Sequence, residues 1–302
     1  MELLEREAHL DELRGLLRLA AEGNGCLVLL GGEAGVGKTA LVGRFRDEEQ
    51  RTARVLIGAC DPLSTPRPLG PLLDVAPALG GQVERLLREE APRDRVFAAI
   101  LAELSVGTRP IVLIVEDAHW ADEATLDLLR FLGRRIAQTR ALFVVTYRND
   151  EVGRTHPLRV VIGDLATAVA VRRLSVSPLS EGAVRRLAAG SRLDAAALHR
   201  RTGGNPFFVT EILAVGNQGI PATVRDAVLA RAARLSPPGY ATLEAAAVIG
   251  SSVESWLLQD VAYPEVGTVD ECIGRGMLVP AGETLVFRHE LARQAILEAI
   301  AP

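Results

Sequence analysis

The chain has 302 residues, 48% of them apolar, and a net charge of −4. That is enough apolar material for one large core or two to three smaller ones. The mild acidity excludes a global basic field for nucleic acid. The three cysteines, Cys26, Cys60 and Cys272, stand apart, with neither a disulfide framework nor zinc-ligand spacing, which fits a reducing compartment. The start, Met1-Glu2-Leu3-Leu4-Glu5-Arg6, is charged where a secretory signal is apolar, and no apolar run reaches membrane-spanning length. The expectation is a soluble cytoplasmic protein with no membrane partner.

In chain order, Leu10, Leu13, Leu16, Leu17 and Ala20 recur at helical spacing, and Gly23-Asn24-Gly25 ends that helix. The apolar run Cys26-Leu27-Val28-Leu29-Leu30 then leads into Gly32-Glu33-Ala34-Gly35-Val36-Gly37-Lys38-Thr39, followed by helix-forming Ala40-Leu41-Val42. A G-x-x-x-x-G-K-T pattern between strand and helix is the context of a phosphate-binding loop. Its glycines let backbone N–H groups surround phosphate oxygens, and the helix start adds partial positive charge. Lys38 is expected at the β/γ-phosphates and the Thr39 hydroxyl on Mg²⁺, so residues 32–40 form the expected nucleotide cradle.

Further apolar runs at 54–58, 111–115, 141–145 and 169–174 alternate with helical patterns near 40–49, 92–105, 122–138 and 157–164. Near-continuous apolar strands between helices indicate a parallel sheet covered on both faces. The expected fold is α/β, a P-loop nucleotide-binding domain over 1–178 with five parallel strands. Residues 61–71 hold four prolines and are expected as an extended loop at the carboxyl edge of the sheet, bordering the site. Residues 179–219 read as short helices forming a small helical domain, broken by Gly203-Gly204-Asn205-Pro206. From 220 to 302, helices near 222–235, 240–249, 253–261 and 266–275 precede a hairpin at 277–287 turning through Pro-Ala-Gly-Glu. With a last helix at 289–299, this is the order of a winged helix.

Two more elements carry chemistry. Ile111-Val112-Leu113-Ile114-Val115 ends in Glu116-Asp117, and adjacent strand-end residues diverge, so Glu116 is expected to hold Mg²⁺ through water while Asp117 orients an attacking water. Val144-Val145-Thr146-Tyr147 ends in Arg148. In an ATPase of the additional-strand type this strand lies between the phosphate-loop strand and the acidic strand, which sets Arg148 toward the γ-phosphate. Lys38, Glu116, Asp117 and Arg148 are the candidate catalytic residues.

Taken together, the phosphate loop, Glu116-Asp117-Ala118-His119-Trp120-Ala121-Asp122, Thr146-Tyr147-Arg148 and Gly203-Gly204-Asn205-Pro206-Phe207-Phe208 resemble the signal-transduction ATPases with numerous domains. Within that class the chain is most similar to the ATPase module of large ATP-binding LuxR-type transcriptional regulators. The resemblance implies an ATP/ADP switch with slow hydrolysis, an inducer or partner protein, and nucleotide-dependent oligomers. It also implies that DNA is bound only through a helix-turn-helix domain absent from this chain. It further implies that Leu4 and Arg6 contact adenine, that Pro206 packs on the base and that His289 touches the β-phosphate. The glycine usual before the arginine is Glu5 here. His119 and Trp120 read as packing residues of the turn after the acidic strand.

The alternative is a winged-helix DNA-binding ATPase resembling origin-recognition proteins. Against it, residues 266–275 hold one arginine and two acids, the wrong balance for phosphate backbone. A kinase-like enzyme would need a second substrate pocket, and no such pattern is legible.

Overall fold

The computed structural model describes residues 3–63, 65–216 and 219–300. The described residues fall into two compact units that divide between Val176 and Ser177.

The first unit runs α1 (Glu7–Ala21), β1 (Cys26–Gly32), α2 (Lys38–Glu49), β2 (Arg54–Ala59), α3 (Gly70–Leu79), α4 (Gly81–Arg88), α5 (Arg93–Ser105), β3 (Ile111–Glu116), α6 (Glu123–Gly133), β4 (Ala141–Arg148), α7 (Pro157–Asp164) and β5 (Val171–Ser175). The five strands form one parallel sheet in the order β2-β3-β4-β1-β5. The β4 strand therefore lies between the phosphate-loop strand and the acidic strand, as expected. Alternate residues of the inner strands feed two cores. Leu27, Leu29, Leu113, Val115, Phe143 and Val145 pack on one face, and Val28, Leu30, Val112, Ile114, Leu142 and Val144 on the other. Burial on both faces is why these strands read as unbroken apolar runs. The edge strands β2 and β5 are only partly buried, and Arg172 and Arg173 of β5 are exposed.

Several expectations need correction. The stretch after the Pro-rich loop folds into α3 and α4, where no helix is expected from the sequence. Pro71 sits in the first turn of α3, where its missing N–H costs little, and Pro77 lies within the helix. The loop itself is irregular over 61–63 and 65–69, while Ser64 lies outside the described residues, as do Met1 and Glu2 of the charged start. The helix expected to reach 138 stops at Gly133, and a separate 3₁₀ turn covers Ile136–Gln138. The last strand is shifted to Val171–Ser175.

The second unit comprises α8 (Glu181–Leu187), α9 (Ala195–Thr202), α10 (Pro206–Val215), α11 (Ala222–Ala232), α12 (Pro237–Ile249), β6 (Ser252–Glu254), α13 (Ser255–Ala262), α14 (Thr268–Gly274), β7 (Leu278–Ala281), β8 (Thr284–Phe287) and α15 (Glu290–Ala299). A short strand, β6, precedes α13 where only helix is expected, and it completes an antiparallel sheet β6-β8-β7. The hairpin turns through Gly282-Glu283, because Pro280 and Ala281 pair with Leu285 and Thr284. Proline is tolerated there since β7 is an edge strand, where a missing N–H removes no ladder bond. The core of this unit gathers Leu243, Ala246, Val253, Leu258, Met277, Leu278, Phe287 and Ile296, with Cys272 buried among them.

One local conformation bears on the N-terminal segment. Glu5 occupies the left-handed region at φ 57°, where a glycine would sit without strain. Glu5→Gly is expected to raise stability by about 0.5–1 kcal/mol, the relief of strain exceeding the added freedom of the unfolded chain. Urea unfolding of the two proteins checks it, and a destabilised variant would show that Glu5 makes contacts worth more than the strain.

Candidate functional site

The loop between β1 and α2 turns with Val36 N–H donating to Glu33 O at 3.3 Å. Gly35 and Gly37 take φ of 78° and 98°, left-handed values that orient successive backbone N–H groups to one side and that side chains resist. A Cβ on Gly37 would meet open space, so its backbone conformation, not crowding, demands glycine. No side chain caps α2 and no acid lies in its first turn, which leaves its N–H groups and its dipole for an anion. Thr39 and Ala40 are exposed at that start. Such a cradle fits a nucleotide phosphate chain.

Lys38 is buried, and its Nζ donates to Gly32 O at 2.7 Å and Glu33 O at 2.9 Å. Burial pushes its pKa down to about 8, against the pull of Asp150, Asp117 and Glu33 and with the push of Arg148. Arg6, expected at adenine, is 3% exposed and donates to Val36 O at 3.0 Å. Its guanidinium thus braces the loop at Val36, and burial lowers its pKa. Leu4 is buried beside it in sequence.

The acidic strand reaches the same edge of the sheet. Glu116 ends β3 half-buried, and among the described residues its Oε1 has no hydrogen-bond partner. Asp117 takes φ 55° and its N–H donates to Thr146 Oγ1 at 3.0 Å. That bond ties the strand end to β4. The Asp117 Oδ1 lies 3.8 Å from His119 Nδ1 and 4.0 Å from Arg148 Nε. Arg148 pairs with Glu151 at 2.6 Å, and its guanidinium carbon lies 4.8 Å from the Trp120 ring centroid. The parallel register sets Gly32 opposite Arg148, so the sheet itself brings the phosphate loop and this arginine to one level.

His119 is buried in a single 3₁₀ turn, Ala118–Trp120, with its ring 4.5 Å from that of Trp120. Burial depresses its pKa to about 3 despite the pull of Glu151, so the imidazole is neutral at ordinary pH. His156 Nε2 meets His119 O at 3.0 Å, and Asp122 caps α6 while accepting from Leu69 N–H at 3.2 Å, which anchors the Pro-rich loop. Sequence reasoning missed Asp150, Glu151 and His156. The first two follow Arg148 after one intervening residue, Asn149, and acids just past a strand-end arginine are the signal that could have found them.

Among the described residues no cluster of three or more His, Cys, Asp or Glu forms a metal cage. Mg²⁺ needs none, since it keeps waters and takes phosphate oxygens, so Thr39 and Glu116 fit as its few protein contacts.

In the second unit, Pro206 opens α10, whose cap is Asn205. Gly204, at φ 73°, approaches so closely that a Cβ would lie 2.1 Å from Leu179 O, while Leu179 N–H donates to Gly204 O at 2.8 Å. His289 is buried with its ring edge-on to Phe208 at 4.9 Å, and its Nδ1 lies against Gly203. The fold thus brings His289 to the Gly-Asn-Pro-Phe-Phe run, two features separate in sequence.

Residues 2–145 match the AAA ATPase domain. An uncharacterized protein of Rhizobium meliloti strain 1021 is 27% identical over 99% of this chain, which spans 35% of that protein's length. The Walker-type ATPase of Pyrococcus abyssi superposes with a TM-score of 0.65 at 15% identity, covering 97% of this chain and 96% of that one. A signal-transduction ATPase with a tetratricopeptide repeat sensor from Pyrococcus horikoshii gives 0.48 at 17% identity over 99% of this chain and 43% of its own. The fold is that of an α/β P-loop NTPase with a five-stranded parallel sheet. No helix among the described residues is long and apolar enough to cross a membrane.

Proposed function

We propose that this chain is a nucleotide-operated switch, the ATPase module of a LuxR-type transcriptional regulator of the signal-transduction ATPase class. It takes ATP or ADP with Mg²⁺, hydrolyses ATP slowly and thereby resets. The observation that carries this reading is the convergence of Lys38, the Glu116-Asp117 strand end and Arg148 on one edge of the sheet, with Gly32 and Arg148 in register. When bound, the nucleotide supplies a phosphoanhydride whose terminal group is the sole chemical difference between the two states.

The residues divide the work. Backbone groups of 32–37 and Lys38 hold phosphate, Thr39 and Glu116 hold Mg²⁺, Asp117 orients water, and Arg148 reads the terminal phosphate. Leu4 and Arg6 belong to the adenine side, Arg6 by fixing the loop at Val36. Residues 179–219 serve as the small helical domain and 220–302 as a winged helix, with Pro206 and His289 as nucleotide contacts. An inducer or partner protein governs exchange, and oligomers form in one nucleotide state.

A winged helix used as a nucleotide clamp predicts two results. Duplex DNA should bind no better than a salt-sensitive background, since α14 carries Asp270 and Glu271 in its first turn. His289→Ala should shift the ratio of ADP to ATP dissociation constants, because a contact to one state acts only through its differential affinity. Titrations of parent and variant beside a DNA-binding assay test both. Tight sequence-dependent DNA binding with an unchanged ratio would support the origin-recognition alternative instead.

A further inference from the structure

The turn after β4 contributes two acids to the site. Glu151 N–H donates back to Arg148 O at 3.3 Å, and its carboxylate Oε1 accepts from Arg148 Nη1 at 2.6 Å. The Glu151 side chain is 8% exposed, and its other oxygen lies 3.8 Å from His119 Nε2. Asp150, buried beside it in the same turn, acts electrostatically on Lys38. Each of the two cations assigned to phosphate therefore has an acid of this one turn acting on it. An ion pair so little exposed on its acidic side is screened less than a surface pair.

We infer that Glu151 is a positioning residue that competes with the terminal phosphate of ATP for Arg148, and so sets how far the protein prefers ATP over ADP. The inference rests on the nucleotide reading above. A guanidinium whose charge is already shared with a buried carboxylate binds a second anion less strongly, and only ATP offers that anion. Fixed negative charge around the two cations, from Asp117, Asp150 and Glu151, also opposes ATP more than ADP, because ATP carries the greater charge. Both effects have the same sign. Trp120, stacked on the guanidinium, keeps Arg148 in place when Glu151 is neutralised, so the variant retains its sensor.

The test is equilibrium titration with ATP and with ADP, in EDTA and in Mg²⁺, of the parent, Glu151→Gln, Arg148→Ala and the double variant. Glu151→Gln should tighten ATP roughly three- to tenfold and leave ADP unchanged. Glu151→Asp should restore most of the parental ratio, and Glu151→Gln should have no ATP-selective effect in the Arg148→Ala background. Thermal unfolding of each variant confirms that the fold is kept. The inference is overturned if Glu151→Gln weakens ATP, which would mean that Glu151 aims Arg148 at the phosphate, or if it shifts ATP and ADP equally. Persistence of the effect without Arg148 also overturns it. A parent that binds neither nucleotide removes the nucleotide reading itself, and this inference with it.

Discussion

Asp117→Asn is expected to lower ATP turnover roughly 100-fold or more while changing nucleotide affinity little, the pattern of a lost water-positioning carboxylate. Asparagine suits this test because it tolerates the left-handed backbone that Asp117 adopts at φ 55° and keeps the N–H bond to Thr146 Oγ1. Only the charge is removed. A non-glycine residue held at such a φ beside a strand end stores strain, and strain of this kind clusters at functional sites. Steady-state phosphate release and ATP affinity, measured on the same preparation, separate the outcomes. Unchanged turnover would transfer the role to Glu116, the other acid at the end of β3.

Lys38→Ala is expected to weaken both ATP and ADP by roughly 10- to 100-fold, the worth of charge-assisted bonds to phosphate. Both nucleotides should suffer because Lys38 lies at the loop proposed to hold the phosphates they share. The parent should also lose affinity as pH rises through about 8, where the buried ammonium gives up its proton. The sign follows from burial: phosphate binding needs the charged form, which is complete below that pH and scarce above it. Lys38→Ala should lack this decline.

The sheet and the phosphate loop were legible in the sequence because their signals are local and redundant. Unbroken apolar runs such as Ile111–Val115 mark strands buried on both faces, and the G-x-x-x-x-G-K-T spacing is demanding. The α3 and α4 helices are hidden in the sequence because Pro71, Pro77 and the Gly80-Gly81 pair are poor helix formers, although three of these four residues lie at helix starts or ends. The β6 strand has three residues and pairs with β8 at a sheet edge, so no periodicity announces it. At the site, the acids and Arg148 follow from strand ends, whereas the link between Arg148 and Glu151 depends on a turn whose geometry composition does not encode. The bracing of Val36 by Arg6 joins positions 30 residues apart and is visible only in the fold.

Calorimetric titration of the parent and Lys38→Ala with ATP·Mg²⁺ near neutral pH tests the central claim most directly. The account predicts saturable one-to-one binding to the parent, displaced by ADP, and a large loss of affinity in a variant that still unfolds cooperatively. Equal affinity of parent and variant, or a folded parent that takes up no nucleotide, would contradict it.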